Sequence, residues 1–398
     1  MTGHQANYSV ASSLYWSLPG PKGFVYRLGQ RAREHRATAL SFTRHLIPGM
    51  WDSVRDGLYL ADIHKVIKIS IHDGMDVAAE VGPHFGRDFL IPAHLAEYTT
   101  GVTTAILLIP NGVAARQKCD EYFSGFLQAI EHAKGNTHLF IELQDDAWQE
   151  DCSDGNIQVL AFDGALYPDE MSAYVGLRML GRTGPGSTKL LRSLVLEYSG
   201  FDVTLAEQLM SLSDDEILRL PDCLGMILER DPVRWSSDSW LNGTHALVKG
   251  CKLRHPLHEW HLTLHSGPKQ EEAKIASRKR YWRACVQTLT PWLEERRLQV
   301  LDIFRSPLDK LLAPTGGKLR RPLPNGKAIE IERNDIEYNS IVGLVHQGEL
   351  VIPNDPASQQ AFAVCKVAKF VRDDLAHLRA PNSQDILSLI TTMDSLIS

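Results

Sequence analysis

Three residues near the C-terminus carry side chains that could act together on a phosphodiester. Arg372 and Asp373 are adjacent, and His377 follows five residues after the arginine, in the segment RDDLAH. A guanidinium binds and neutralises a phosphodiester through paired hydrogen bonds, and an imidazole accepts or donates a proton near neutral pH. Together these two groups are nearly sufficient to cleave RNA without a metal ion. The segment is therefore the candidate catalytic site.

A helix is predicted to position these residues. Asp355-Pro356 is typical of a helix start, the helix is expected to run to Arg379, and Pro381 ends it. Side chains five positions apart point about 140° apart around a helix, so two protomers facing each other would bring Arg372 and His377 to one phosphate.

A structural role for the same residues is the alternative. Arg372 would then form a salt bridge with a neighbouring acid, and His377 would cap the helix C-terminus, where its cation is favoured. Leu375 and Leu378 are expected to pack the last turn into the core. A final helix is expected over about Asn382 to Leu396, which would complete a compact helical bundle.

From about Glu271 to Ser398 the chain resembles the HEPN superfamily (higher eukaryotes and prokaryotes nucleotide-binding). Its ribonucleases carry an arginine and then a polar residue within an Arg-x4–6-His motif, which Arg372, Asp373 and His377 match. The resemblance implies a metal-independent endoribonuclease that acts as a homodimer through the C-terminal bundle. It implies His377 as general base or acid at a ribose 2′-OH and Arg372 as the group that stabilises charge on phosphorus. Asp373 would orient one of them, and the products would carry a 2′,3′-cyclic phosphate.

Two basic runs are candidates for contact with an RNA backbone. One is a loop with Lys318, Arg320 and Arg321, and the other is a run of Arg278, Lys279 and Arg280 at a predicted helix start. Tyr281 and Trp282 follow the second run and could stack on a base. The alternative for each is solvated surface charge, with Trp282 in the core of the bundle.

The first 165 or so residues alternate between helical and strand patterns. Strands are predicted over Ala37–Thr43, Val66–Ile71, Thr103–Ile109, Thr137–Leu143 and Ile157–Phe162. This alternation predicts an α/β domain with a mostly parallel sheet and flanking helices, over residues 1–166. An all-α region follows over 167–268, and the HEPN-like helical bundle over 269–398. The long helical stretch Glu271–Leu312 is expected to kink at its prolines, Pro291 and Pro307.

Nucleotide hydrolysis is disfavoured by the sequence. A Walker A loop needs Gly-x-x-x-x-Gly-Lys-Ser/Thr, and no such string exists. Leu18–Phe24 precedes a helix but lacks the Lys-Ser/Thr pair, and Gly181–Lys189 has the right residues in the wrong order. The arrangement loosely resembles P-loop NTPases of the STAND or AAA type, which implies a degenerate, non-hydrolysing member. Nucleotide binding without hydrolysis at Gly20–Gly23 is a further, weaker hypothesis.

Charge and composition indicate which classes of partner, membrane segment and metal site fit the chain. The whole chain has a net charge of −6, but the segment from Gly250 onward carries 21 Lys/Arg and 17 Asp/Glu. The C-terminal third is therefore net positive, whereas the rest of the chain is net negative. The longest apolar run, Ala105–Ile109, is too short to span a membrane, and no secretory signal is expected. The cysteines are scattered, which disfavours disulfides and a Cys-type zinc site. A metal site formed by four closely spaced histidines is not favoured either; these are His255, His258, His261 and His265.

The sequence thus predicts a cytoplasmic, two-part protein, and the HEPN resemblance implies a role in a prokaryotic defence or toxin system. A non-hydrolysing NTPase-like module would act as a sensor, and the HEPN-type module would cut RNA as a homodimer without metal or cofactor. The alternative is a non-catalytic adaptor of a multi-gene defence system, which uses the same folds for dimerisation and for binding partner proteins.

Overall fold

In a computed structural model, the chain is described over residues 12–42, 49–144, 159–162, 164–182, 187–220, 269–322 and 327–397, with Leu224 and Pro256. Its contacts divide it into two compact units. The sheet unit holds the described residues up to Tyr174 and Phe201–Thr204, and the helical unit holds the others. The predicted division at residues 166 and 268 stays a prediction, because most of 221–268 lies outside the described residues.

A parallel sheet forms the centre of the sheet unit. Its described strands follow the order β2-β3-β4-β1-β5, and every neighbouring pair is parallel. The strands are β1 (Ala37–Phe42), β2 (Lys65–His72), β3 (Thr104–Asn111), β4 (Thr137–Gln144) and β5 (Val159–Phe162). All of these strands were predicted, with bounds within two residues of the observed ones. The α/β class of the N-terminal part is therefore confirmed.

Helices cover both faces of this sheet. Residues 12–17 form α1, and the remaining helices are α2 (Pro19–Glu34), α3 (Met50–Tyr59), α4 (Val77–Val81), α5 (Pro92–Glu97) and α6 (Val113–Ile130). Apolar side chains of α4, α5 and α6 pack with alternate residues of β1 to β4 in one large core cluster. On the opposite face, Phe24 of α2 stacks on Phe162 of β5 with ring centroids 4.5 Å apart.

Two glycines allow α2 and α3 to cross closely. A Cβ atom on Gly29 would lie 2.8 Å from the carbonyl oxygen of Gly57, and one on Gly57 would lie 2.9 Å from the carbonyl oxygen of Val25. Both separations are shorter than a carbon atom tolerates, so any larger residue would push the helices apart. This crossing fixes α3 over the sheet.

The helical unit is built around two long helices. The helices after the sheet are α7 (Pro168–Arg178), α8 (Ser187–Ser199), α9 (Val203–Met210), α10 (Asp214–Leu218), α11 (Lys269–Ile303), α12 (Arg305–Leu312), α13 (Tyr338–His346), α14 (Pro356–Ala376) and α15 (Ser383–Ile397). In the helical unit, α11 packs against α8 and α14, and α14 also packs against α13 and α15. The helical character of the C-terminal part is confirmed.

One local prediction is corrected by the structure and one is made more specific. The helix α11 continues through Pro291, and the long helical stretch is interrupted at Phe304, three residues before Pro307, which separates α11 from α12. Pro307 lies in the first turn of α12, where a missing N–H costs little. The predicted basic loop is partly a strand, because β6 (Lys318–Pro322) pairs with β7 (Ala328–Glu332) as an antiparallel hairpin.

Among the described residues, no helix combines the length and apolar character needed to cross a membrane.

Candidate functional site

Helix α14 carries the candidate residues and is fixed at its start. The side chain of Asp355 accepts a hydrogen bond of 2.8 Å from the backbone N–H of Ser358, and Pro356 occupies the first turn. Small and apolar side chains then line one face of the helix and are buried: Ala361, Val364, Cys365, Ala368, Val371 and Leu375. The buried face fixes the rotation of the helix, and therefore the directions in which residues 372–377 point.

The end of α14 adopts a Schellman-type turn. The N–H of Arg379 donates to the carbonyl of Asp374 at 2.8 Å, and the N–H of Leu378 donates to that of Leu375 at 3.3 Å. Leu378 has φ +57°, a position that usually favours glycine. Leu375 is buried as expected, but Leu378 is 73% exposed, so its predicted packing into the core is wrong. The left-handed backbone turns its side chain outward.

Arg372 forms an ion pair that sequence analysis anticipated only in general terms. Its Nη2 lies 2.5 Å from Oε1 of Glu337, which immediately precedes α13. The side chains are 40% and 36% exposed, respectively. Within the described chain, Nη2 is the only guanidinium nitrogen of Arg372 with a hydrogen-bond acceptor, and Oε2 of Glu337 is buried without a donor. Glu337 therefore fixes the guanidinium and leaves most of its donors unused.

A buried arginine holds the segment that carries Glu337. Nη1 of Arg297 donates to the carbonyl of Ile336 at 3.0 Å and also to that of Asn334, while its Nε donates to Glu294 at 2.9 Å. The hydrogen bond from Arg297, assisted by the charge of Arg372, lowers the pKa of Glu294 below its usual value. The site thus contains two arginines and two carboxylates.

A groove of about 460 Å³ opens beside Arg372, between α11 and α14. Its walls are mostly apolar and include Val286, Pro291 and Leu375, with Glu294 and Arg372 as the charged members. Proline has no N–H, so Pro291, which lines this groove, makes no backbone hydrogen bond to the carbonyl four residues earlier. The indole N–H of Trp282 donates to the carbonyl of Leu375 at 3.1 Å and ties the last turn of α14 to α11.

His377 lies on a different side of α14 from Arg372. It is the C-cap residue, its ring is exposed, and its side chain has no hydrogen-bond partner among the described residues. Asp373, four residues earlier, is half-buried on the same side of the helix as His377. One copy of the chain therefore places Asp373 beside His377 but points Arg372 elsewhere, as the helical spacing predicted.

The first predicted RNA-binding run is paired within its own hairpin. Lys318 lies 3.0 Å from Glu332 and 3.6 Å from Glu330, and Arg320 lies 3.1 Å from Glu330. Hydrogen bonding to Glu332 raises the pKa of Lys318. Arg321 is exposed. Cross-strand acids thus offset most of the positive charge that the sequence placed here.

The second run, Arg278, Lys279 and Arg280, lies inside α11 rather than at its start. Arg278 and Lys279 are exposed, but Nη1 of Arg280 donates to the carbonyl of Glu197 at 2.9 Å. Tyr281 is buried, and its hydroxyl donates to a backbone carbonyl of Leu218 at 2.7 Å, so it is not free to stack on a base.

The glycines considered for nucleotide binding are inside α2. Gly20–Gly23 precedes β1, whereas ligands of open parallel sheets bind beyond the carboxyl ends of the strands. The N–H of Gly20 is already bonded to the carboxylate of Glu170 at 2.6 Å. Residues 183–186 of the second glycine-rich string lie outside the described residues, as do the four histidines of 255–265. The described part of the chain contains no cluster of side chains that could hold a metal ion.

Comparison with known proteins adds little to this geometry. No protein-family model matches the chain, and no curated protein matches it. Among solved structures, the crystal structure of Saccharomyces cerevisiae RIF2 is similar with a TM-score of 0.32 and 12% sequence identity, over 57% of this chain and 95% of that chain. A likeness this weak carries no argument about fold or function.

Proposed function

We propose that the chain is a metal-independent endoribonuclease of the HEPN type that acts as a homodimer. The observation that carries this proposal is the state of Arg372. Its guanidinium is fixed by Glu337, yet it is 40% exposed and most of its donors have no acceptor among the described residues. A guanidinium held in this way is prepared to bind an anionic oxygen with little loss of side-chain freedom.

The chemistry follows from the three residues at the end of α14. His377 removes the proton of a ribose 2′-OH, whose oxygen then attacks the adjacent phosphorus. Arg372 stabilises the charge on the pentacoordinate phosphorus, and Asp373 orients the imidazole. The bond to the 5′-oxygen breaks, that oxygen takes up a proton, and a 2′,3′-cyclic phosphate remains. Glu337, which the sequence did not indicate, acts as a positioning residue for Arg372.

A dimer is part of this proposal because one copy does not unite the site. Arg372 points toward Glu337, whereas His377 is exposed on a side of α14 about 140° away. Two copies related by a two-fold axis would place Arg372 of one copy opposite His377 of the other. Each dimer would then contain two composite sites.

The sheet unit is proposed to act as a non-hydrolysing sensor of the P-loop NTPase type. The parallel sheet with flanking helices, followed by a helical region, supports this, because the resemblance to P-loop NTPases rests on that architecture. The absence of a Lys-Ser/Thr pair in any Walker-like string of the sequence accounts for the lack of hydrolysis. In this proposal the protein works in the cytoplasm of a prokaryote, within a defence or toxin system that includes partner proteins.

The main test is RNA cleavage in EDTA by the full chain and by His377→Ala. General acid–base catalysis contributes about 10²- to 10⁴-fold, so the variant should be slower by at least that lower factor. His346→Ala is a matched control, because His346 is also exposed in the last turn of a helix. The control should cleave at the normal rate and leave cyclic phosphate ends. Equal cleavage by His377→Ala, or cleavage that stops in EDTA, would overturn the proposal.

Mixing two inactive variants tests the composite site. Arg372→Ala and His377→Ala should each be inactive, but a mixed dimer regains one site with both native residues. Activity should therefore return when the two proteins are unfolded together and refolded as a mixture. If the mixture stays inactive although mixed dimers form, the two residues do not act across an interface.

A non-catalytic adaptor is the second candidate, and the same ion pair favours it. An arginine whose charge is already neutralised by Glu337 does not need a phosphate partner. The adaptor would dimerise and bind partner proteins without cutting RNA. It is supported if the native chain forms a dimer yet shows no cleavage of any RNA under the conditions above.

A further inference from the structure

The groove between α11 and α14 has the size and the lining of a small-molecule site. Its volume of about 460 Å³ falls within the roughly 300–1,000 Å³ that such sites occupy. Its apolar lining residues come from α11, α13 and α14: Val286, Pro291, Leu293, Tyr338, Leu375 and Ala376. An apolar ligand body placed here would contact side chains of three helices at once.

Two of the polar side chains that line the groove are already bonded within the chain. The hydroxyl of Tyr338 donates to the carbonyl of Leu293 at 2.7 Å. Both carboxylate oxygens of Glu294 accept hydrogen bonds from Arg297, one from Nε at 2.9 Å and one from Nη2. Arg372 differs, because its Nε and Nη1 have no acceptor in the described part of the chain. The group that the groove lacks is therefore an acceptor.

A carboxylate attached to the apolar body would supply this acceptor. Guanidinium N–H groups form short, charge-assisted hydrogen bonds with carboxylate oxygens, and the ion pair with Glu337 already holds Arg372 in place. Glu337 also offsets part of the charge of Arg372, so burial of the apolar body must supply much of the affinity. This balance favours an amphiphilic carboxylate over a small, fully hydrated anion.

An amphiphilic amine fits the groove less well. The carboxylate that lines the groove belongs to Glu294, and Arg297 already donates to both of its oxygens. An ammonium group would also approach Arg372, whose charge repels it. The lining is therefore complementary to an acid with an apolar chain rather than to a base.

We propose that this groove binds a small amphiphilic carboxylate, an apolar chain that ends in one carboxylate, and that the bound molecule regulates the site at Arg372. The chain lies between α11 and α14, and the carboxylate accepts hydrogen bonds from Nε or Nη1 of Arg372. A phosphodiester then finds these donors occupied, so RNA cleavage is inhibited. The inhibition rests on the proposed ribonuclease function, whereas the binding does not.

Calorimetric titration of the full chain tests the binding. The probes are hexanoate, octanoate and decanoate, each below the concentration at which it forms micelles. Each methylene that enters the groove should tighten binding by up to about fourfold. 1-Octanol carries the same chain as octanoate without the charge, so it separates the contribution of the apolar body from that of the carboxylate.

Two substitutions separate the same two contributions in the protein. Arg372→Gln should weaken octanoate binding about tenfold or more and leave 1-octanol binding unchanged, because only the charge-assisted hydrogen bonds are lost. Arg372→Lys keeps a cation beside Glu337 and should lose less. Thr290 is exposed and lines the groove, so the ring in Thr290→Phe should weaken the binding of both probes. Thr391→Phe is the matched control, since Thr391 is exposed on α15 away from the groove.

RNA cleavage with and without octanoate tests the regulation. Octanoate should slow cleavage by the native chain and by Thr391→Phe. The cleavage that remains in Thr290→Phe should be the same with and without octanoate. If octanoate binds to the native chain but leaves its cleavage of RNA unchanged, the regulatory part of the proposal is wrong.

Three outcomes of the binding experiments overturn the site itself. In the first, octanoate does not bind. In the second, Arg372→Gln changes the affinities for octanoate and 1-octanol equally, so the guanidinium does not recognise the carboxylate. In the third, octanoate and Thr290→Phe each convert dimers to monomers in analytical ultracentrifugation, and the groove is then a contact between copies. If the chain cleaves no RNA at all, the ribonuclease function and the inhibition fail together, and calorimetry still decides the binding.

Discussion

Three ionisable residues with buried side-chain atoms, Glu142 and His138 in the sheet unit and Arg297 in the helical unit, differ in the partners they have. In the sheet, the buried carboxylate of Glu142 keeps one oxygen without a hydrogen-bond donor among the described residues, and Nδ1 of His138 likewise has no partner there. Burial raises the pKa of Glu142, against the opposing charge of Lys68, and burial together with Arg36 lowers the pKa of His138 to about 4. In the helical unit, the buried Arg297 donates to two carbonyls and a carboxylate.

This difference shows where charge can be kept at neutral pH. In the sheet, an unpaired group avoids the cost of burial by approaching its neutral form, so its pKa moves. In the helical unit, Arg297 and Glu294 stay charged because each is the other's partner of opposite sign. The proposed site would need a fixed charge to stabilise the charge on phosphorus, and Arg372 has such a fixed position through its ion pair with Glu337.

Removing Arg297 should have the largest effect on stability. Arg297→Met leaves the carbonyls of Ile336 and Asn334 unpaired and releases Glu294, which should cost about 2–3 kcal/mol in the free energy of unfolding. Arg305→Met is the control, since that exposed arginine at the start of α12 pairs with the equally exposed Asp302 near the end of α11. Urea denaturation measures both, and equal midpoints for the two variants would contradict the claim that the helical unit depends on paired charge.

Removing a buried charge from the sheet unit should instead raise the free energy of unfolding. Glu142→Gln removes a buried charge, one oxygen of which has no hydrogen-bond donor among the described residues, and we expect it to stabilise the chain by about 1 kcal/mol at pH 7. Because the folded-state pKa of Glu142 is raised, the folded chain binds more protons than the unfolded chain. The native protein should therefore lose stability as pH rises from the unfolded pKa through the folded one.

Denaturation at several pH values checks this prediction. The advantage of Glu142→Gln should shrink as pH falls below the unfolded pKa, where the native carboxyl is also neutral. Glu131→Gln is the control, because Glu131 is exposed at the end of α6 and should show no such dependence. A destabilised Glu142→Gln variant at pH 7 would show that the carboxylate has a partner after all.

Sequence patterns predicted the sheet well because its strands are marked either by alternating burial, as in β2, or by burial on both faces, as in β3. The run predicted as Thr103–Ile109 is β3, Thr104–Asn111, and its continuous apolar side chains need no tertiary information to be recognised. The helix α3 was missed, because its packing depends on the glycine contact between Gly29 and Gly57, which are distant in sequence. Local patterns indicate strands, but close helix crossings arise only in three dimensions.

The candidate site was predictable only in part for the same reason. Arg372, Asp373 and His377 share one helix, so their spacing alone indicated which side chains diverge. Glu337 is 35 residues from Arg372, and their ion pair exists only because α13 packs against α14. No periodicity in the sequence connects two helices joined by a loop, so the residue that positions the guanidinium could not be predicted.

The smallest expected effect concerns Leu378 in the turn after α14, where the backbone is strained although its hydrogen bonds are made. A leucine at φ +57° costs about 1 kcal/mol relative to glycine, and its exposed side chain contributes little packing in return. Leu378→Gly should therefore raise the free energy of unfolding by up to about 1 kcal/mol. The same change at Leu298, in the right-handed interior of α11, should lower it by about 1 kcal/mol.

Because the glycine retains the turn that presents His377, RNA cleavage should persist in Leu378→Gly. A destabilised variant would mean that Leu378 packs against a second copy, which a concentration-dependent midpoint would reveal.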